Sequence, residues 1–83
     1  MKRIKVKSVD HLRELIEQGI HSFVALYGIL RCSRYITLDS DGNFMVFSDV
    51  DGSEVPYTAE ELSTDYYPIG KAIINGNFYG EQD

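Results

Sequence analysis

The sequence predicts an α+β fold, an antiparallel sheet of four to five short strands with two main helices packed on one face. Two observations support this class. Short stretches of alternating apolar and polar residues, typical of half-buried strands, are separated by the turn signals Asp41-Gly42 and Asp51-Gly52. Apolar residues at helical spacing precede and follow these stretches. The predicted order is strand, helix, three strands, an optional fifth strand and two helices.

The N-terminal segment predicts an edge strand and the longer helix. Lys2–Lys7 places Ile4 and Val6 on one face and lysines on the other, which suits the edge of a sheet. Ser8 is a good N-cap for the following helix, and Gly19 is a good stop. The predicted buried stripe of this helix is Val9, Leu12, Leu15 and Ile16.

The most apolar run, Ile20–Leu30, predicts a central strand because it is apolar on both faces. Gly28 marks its end or a bulge, and residues 31–34 are expected to link it to a hairpin centred on Asp41-Gly42. A two-residue type I′ turn there uses the tolerance of Asp and Gly for positive φ. This turn pairs Ser40 with Asn43, Leu38 with Met45, Ile36 with Phe47 and Arg34 with Asp49.

The second Asp-Gly turn predicts less regular pairing. A two-residue turn at Asp51-Gly52 would place two carboxylates opposite each other, so we expect a longer loop or a bulge near Val50. Pro56 cannot donate a backbone hydrogen bond to a neighbouring strand. Residues 53–57 are therefore expected to form a short edge strand.

Two helices are predicted after this strand. Thr58–Glu61 has the sequence of a capping box, which begins a short helix. Either Thr64 or Asp65 is expected to cap the next helix, whose first turn contains Pro68. Asn75-Gly76 is a C-terminal stop signal.

Length and cysteine content suggest the domain organisation and the compartment. Eighty-three residues suffice for one small domain, which we assign to residues 1–80, with 81–83 as a frayed tail. A domain of this size has little stability to spare, so dimerisation would help it. Cys32 is the only cysteine, which indicates a reducing compartment. No apolar run is long enough for a signal peptide or a membrane span, so we expect a cytoplasmic protein that does not bind membranes.

Three segments resemble small proteins of bacterial phages and mobile elements. They are GILRCSRYI at residues 28–36, DVDGSEVPYTAEELS at 49–63 and PIGKAIINGNFY at 68–79, so the resemblance covers about residues 28–79. In such proteins serine is commoner at the position of Cys32. No activity is established for them, so the resemblance implies a biological context and not a mechanism.

Charge is distributed unevenly along the chain. Residues 1–34 carry seven basic and three acidic side chains, whereas residues 35–83 carry one basic and ten acidic side chains. The acidic half would repel phosphates, so we expect no direct binding of nucleic acid.

Metal and catalytic sites receive little support from the sequence. The stretch beginning at Asp49 has the acidic spacing of a calcium loop, but Glu54 stands where such a loop needs glycine. Cys32 with His11 or His21 would provide a nucleophile and a base, although no local motif joins them. We therefore expect no catalytic residue, no cofactor and no metal. A small enzyme using Cys32 and one histidine is the alternative.

The tyrosines of the acidic half carry the functional prediction. Tyrosine is favoured at protein interfaces because it combines a large contact area with a polar tip. We expect a non-catalytic protein that binds another protein with a basic surface, associates with itself as a homodimer, or does both. The alternative is that these residues only fill the core and keep the protein soluble. The predicted partner-binding residues are Asp49, Asp51, Glu54, Tyr57, Glu60, Glu61, Asp65, Tyr66 and Tyr67.

Overall fold

The structure, a computed structural model, describes residues 1–48 and 51–83. Within these residues the strands are β1 (Lys2–Lys5), β2 (Ser22–Tyr27), β3 (Leu30–Leu38), β4 (Phe44–Phe47), β5 (Glu54–Tyr57) and β6 (Phe78–Gln82), and the helices are α1 (Val9–Glu17), α2 (Ala59–Leu62) and α3 (Pro68–Ile74). The six strands form one antiparallel sheet in the order β1-β6-β2-β3-β4-β5. The predicted α+β class with an antiparallel sheet is confirmed. The sheet has one strand more than the upper prediction of five.

Local capping signals set the helix boundaries largely as predicted. The Ser8 hydroxyl accepts a hydrogen bond from the His11 amide at the start of α1, and Gly19 follows its C-cap with φ +96°. The capping box of α2 is present, and Pro68 is the first residue of α3. The prediction that Thr64 or Asp65 caps α3 is wrong. Tyr67 occupies the N-cap position and makes no side-chain capping bond, because α3 begins directly at the proline.

The first hairpin has a different turn from the predicted one. The Asp39 amide donates to the Asn43 carbonyl at 2.9 Å, so three residues rather than two form the turn. Gly42 has φ +80°, whereas Asp41 does not have positive φ. One Asp39 carboxylate oxygen accepts from the amides of both Asp41 and Asn43, each at 2.9 Å. This side-chain bonding stabilises a three-residue turn with glycine at the left-handed position, so the type I′ prediction is wrong.

The longer turn shifts the register of the hairpin by one residue. Leu38 pairs with Phe44 and Ile36 pairs with Val46, where the prediction had Met45 and Phe47. Since side chains alternate between the two faces of a strand, the shift exchanges the faces of β4. Phe44 and Val46 are buried in the core, and the other two side chains lie on the opposite face.

Residues 31–34 are not a linker but part of β3. Tyr27 of β2 pairs with Leu30 of β3, so only Gly28 and Ile29 connect the two strands. Gly28 has φ +62°, which is the glycine-first pattern of a type II′ hairpin turn. The glycine therefore ends the strand, as one of the two predicted alternatives had it.

The strand that the sequence did not predict is β6. It lies between β1 and β2, with Lys2 opposite Gln82 and Phe23 opposite Gly80. The predicted frayed tail is therefore wrong for Glu81 and Gln82. A Cβ atom on Gly80 would approach Phe23 Cε1 to 3.2 Å, so tight packing against the side chain of a neighbouring strand favours glycine at this position.

All three helices cover the same face of the sheet. Their buried side chains join strand side chains of a single alternation, among them Phe23, Ile36 and Phe78, in one core cluster. Val24 is fully buried but lies outside that cluster, on the other face. No helix of the described residues packs on that other face. We call it the open face; one row across it is Arg3, Glu81, Ser22, Tyr35, Phe47 and Glu54, and every second residue along each strand from this row also lies on it.

Candidate functional site

Three of the predicted partner-binding tyrosines form a cluster of rings. Tyr57 at the end of β5 and Tyr67 before α3 meet edge to face, with ring centroids 5.2 Å apart. Tyr66 meets Tyr67 in the same manner at 5.1 Å. The short helix α2 reverses the chain between β5 and the connection to α3, and this reversal brings the three rings together.

Hydrogen bonds to Glu61 fix the central ring. The Tyr67 hydroxyl donates to Glu61 Oε2 at 3.1 Å, and the Thr58 amide donates to Glu61 Oε1 at 2.9 Å. The Glu61 amide in turn donates to the Thr58 hydroxyl at 3.1 Å. The capping box of α2 thus also holds the tyrosine cluster, because one carboxylate serves both.

The same hydrogen bonds shift two pKa values. The Thr58 amide, followed by the Tyr67 hydroxyl, holds the pKa of Glu61 below its usual range. The hydrogen bond to Glu61, together with the charge of this carboxylate, raises the pKa of the Tyr67 phenol. Glu61 is therefore ionised and Tyr67 neutral at pH 7, and this hydrogen bond is charge-assisted.

Around this fixed centre lie exposed groups. The Tyr66 ring is 82% exposed although it rests on Tyr67. Glu60 on α2 and Asp65 beside Tyr66 are exposed carboxylates. We call the whole the tyrosine–carboxylate surface; its members are Tyr57, Glu60, Glu61, Asp65, Tyr66 and Tyr67.

Two further predicted residues, Glu54 and Asp51, do not join this surface. Glu54 lies on the open face, because it is three residues from Tyr57 along β5 and side chains alternate. Asp51 lies in the turn before β5, where the Ser53 amide donates to its carboxylate at 2.9 Å and lowers its pKa. Asp49 falls outside the described residues.

A groove beside the tyrosines was not predicted from the sequence. Arg34, Val46, Tyr57, Tyr67 and Ile69 line a small cavity of about 60 Å³, together with Pro68. The Arg34 guanidinium donates to the Ser33 carbonyl at 2.8 Å. The groove lies between the start of α3 and side chains of β3, β4 and β5, a long-range arrangement that no local pattern indicates.

Within the described residues, no hydrogen bond joins Cys32 to His11 or His21. The His21 Nδ1 atom donates to the carbonyl of Ile36. Ile36 is four residues along β3 from Cys32, so this hydrogen bond holds the His21 ring roughly 13 Å from Cys32. The Nδ1 atom of His11 accepts the Lys7 amide at 3.0 Å. Cys32 packs against the core beside Ala25. Within residues 1–48 and 51–83, no three His, Cys, Asp or Glu side chains group closely enough to hold a metal ion.

Comparisons with protein-family models, curated proteins and solved structures found no match to this chain. The resemblance to small phage and mobile-element proteins therefore stays a prediction. None of the described helices has both the length and the apolar character needed to cross a membrane.

Proposed function

We propose that this chain is a small non-catalytic protein that binds another protein through the tyrosine–carboxylate surface. The contact surface of the partner is basic. The exposed ring of Tyr66, in edge-to-face contact with a tyrosine that is itself hydrogen-bonded to Glu61, is the observation that carries the proposal. An exposed aromatic ring held in place costs little conformational entropy when it is buried in an interface.

The chemistry of the surface favours lysine or arginine side chains on the partner. Long basic side chains can lie along the tyrosine rings, where cation–π attraction adds to the buried area. Glu60 and Asp65 supply unpaired exposed carboxylates within the described residues, and these would bind the charged ends. Aromatic anchors surrounded by a charged rim are the arrangement found at energetically important parts of interfaces.

Affinity capture from a bacterial lysate tests the proposal. The bait is the wild-type chain, compared with a variant carrying Glu60→Lys, Asp65→Lys and Tyr66→Ser. Glu61 is left unchanged because its substitution would also break the capping box of α2. Proteins that the wild type retains should be lost from the variant, and raising salt from about 0.05 to 0.5 M should release them, because charge attraction between exposed groups is screened.

A matched control removes the effect of net charge. Glu14 and Glu17 are exposed on α1, away from the tyrosines, and reversing both to lysine changes the charge by the same amount. Capture should survive in this control. Equal capture by the wild type and the surface variant, with both folded by circular dichroism, would contradict the proposal.

A further inference from the structure

The register of the sheet aligns six side chains in one row across the open face. Arg3 is opposite Glu81, Ser22 is opposite Tyr35, Tyr35 is opposite Phe47, and Phe47 is opposite Glu54. Glu81 follows Gly80, which is opposite Phe23, so it adjoins Ser22 and closes the row. Across the sheet the row reads cation, anion, small hydroxyl, two aromatic rings and anion.

An exposed aromatic ring, that of Tyr35, lies next to a cavity in this row, which we call the hollow. Tyr35 is 48% exposed, stacked on His21 at 5.4 Å and in edge contact with Phe47 at 5.8 Å. Beside it a cavity of about 290 Å³ is bordered by Ser22, Ser33 and Glu81 as well as by the two rings. The serines leave the hollow because their side chains are short.

Charge on the open face is opposite at its two edges. Arg3 and Arg31 share Glu81, with N–O distances of 3.4 and 3.5 Å, so one positive charge remains there. Lys5 lies on the same face of β1, since Ile4 packs against the core. At the other edge Glu54 is exposed on β5. The edge at β1 is thus basic and the edge at β5 acidic.

We propose that the open face binds the open face of a second copy of this chain, about a two-fold axis parallel to the strands between β2 and β3. This axis reverses the strand order, so β1 of one copy lies over β5 of the other and β2 over β3. Each Tyr35 then enters the hollow above the partner's Ser22, and each Arg3 meets the partner's Glu54. A two-fold axis perpendicular to the strands would instead place Arg3 and Lys5 of one copy against the same two residues of the other copy. These like charges would repel each other.

The size of the face fits a weak dimer. Six strands at about 4.8 Å spacing and six residue steps at about 3.3 Å give a face of roughly 24 by 20 Å. Two copies would bury roughly 1,000 Å², the lower limit for a specific interface. We therefore expect dissociation in the micromolar range, and sheets packed face to face with their strands within about 30° of each other.

Association through the sheet edges is disfavoured. The Ser48 amide donates to the Ser53 carbonyl, so the backbone of Ser53 faces β4. Because backbone groups alternate in direction along an antiparallel strand, those of Glu54 and Pro56 face outward, away from β4. Proline has no amide hydrogen to offer a further strand. At the other edge β1 would bring its own basic side chains together in a symmetric pair.

Sedimentation velocity over a concentration series tests the dimer. The wild type should move from monomer to dimer, and Tyr35→Ser should raise the dissociation constant at least about tenfold because it removes the central ring from both copies. Tyr66→Ser is the control, since it removes a tyrosine that is more exposed than Tyr35, 82% against 48%, from the tyrosine–carboxylate surface. A monomer at all concentrations up to about a millimolar would overturn the proposal, as would equal weakening by the two variants.

Charge exchange tests the orientation of the two copies. Arg3→Glu or Glu54→Lys alone should weaken the dimer about tenfold, because each creates two like-charged contacts. The two changes together should restore most of the lost affinity. Lys71→Glu with Glu14→Lys, on the helix side, should have no effect. Additive weakening by the paired changes at positions 3 and 54 would refute this orientation.

A cysteine pair separates a closed dimer from an open chain of molecules. Arg3→Cys and Glu54→Cys, combined with Cys32→Ser, place the thiols at opposite edges, roughly 24 Å apart within one chain. Mild oxidation should give one covalent dimer that grows no further. A ladder of higher oligomers would show edge-to-edge contact and overturn the proposal. The dimer does not depend on the tyrosine–carboxylate surface, so Tyr66→Ser and Tyr35→Ser distinguish failure of one proposal from failure of the other.

Discussion

Gly70 offers the sharpest test of how α3 is packed. It is a buried residue in the first half of α3, facing the connection from α2. A Cβ atom at this position would overlap the Thr64 carbonyl oxygen and lie 2.7 Å from that of Leu62. Both obstacles are backbone atoms, so no change of rotamer can remove them.

The Gly70→Ala substitution sets two effects against each other. Alanine is favoured over glycine in a helix interior by about 1 kcal/mol, so propensity alone predicts a more stable protein. Moving α3 away from the connection costs about 1–3 kcal/mol, as overpacking does, and here the rigid backbone favours the upper end. We expect a net loss of about 2 kcal/mol, which lowers the melting temperature by roughly 8–16 °C for a domain of this size.

Thermal unfolding followed by circular dichroism measures this loss. Lys71→Ala is the control because it introduces alanine at the next, exposed position of the same helix. Gly80→Ala should fall between the two, since its Cβ would meet side-chain atoms of Phe23 and Ile20 at 3.2 and 3.3 Å, which can move. A melting temperature for Gly70→Ala at or above that of the wild type would refute the packing described for α3.

Three further outcomes are expected. Gly42→Val should cost about 1–2 kcal/mol because valine would have to adopt φ +80°, whereas Ser40→Val in the same turn should cost less; equal losses would contradict the left-handed conformation. Tyr67→Phe should raise the pKa of Glu61 in an NMR titration while leaving it below its usual range, because the Thr58 amide still donates; an unchanged pKa would show that the hydroxyl does not donate. Since the folded-state pKa of Glu61 is lowered, its contribution to stability is present above the unfolded-state pKa and is lost as the pH falls through the folded-state pKa; Tyr67→Phe should reduce that acid sensitivity. Calcium should not raise the melting temperature, whereas an occupied site at a hundred times its dissociation constant would add about 2.7 kcal/mol.

Features with local causes could be predicted from the sequence. The Ser8 cap and the Thr58 capping box depend on residues at most three positions apart, and both are present. The turn at Asp41-Gly42 was located but given the wrong length, because an Asp-Gly pair suits two turn types. The deciding hydrogen bonds come from the Asp39 side chain just outside the pair.

Features with long-range causes could not be predicted. Gly80 is the last residue of the predicted domain, and only its close packing against the Phe23 ring of a neighbouring strand indicates why glycine lies within β6. The sequence prediction grouped Tyr57 with Tyr67, which α2 connects locally. It also placed Glu54 in that group, because the face on which Glu54 lies is set by long-range pairing. A register shift of one residue moves a strand side chain to the other face of the sheet. The register in turn depends on the length of the turns.

The position of β6 gives the assembly of the sheet an order in time. Strands β2 to β5 are consecutive in the chain and adjacent in the sheet, so each can pair as soon as the next one has been synthesised. β1 is made first, yet its only strand neighbour is β6, the last of the described elements. Closing this contact joins Lys2 to Gln82 across nearly the whole sequence, a slow step for a small domain. During synthesis the edge of β2 therefore stays open until residues 78–82 leave the ribosome, and a nascent chain that pauses before them exposes an unpaired strand to its neighbours.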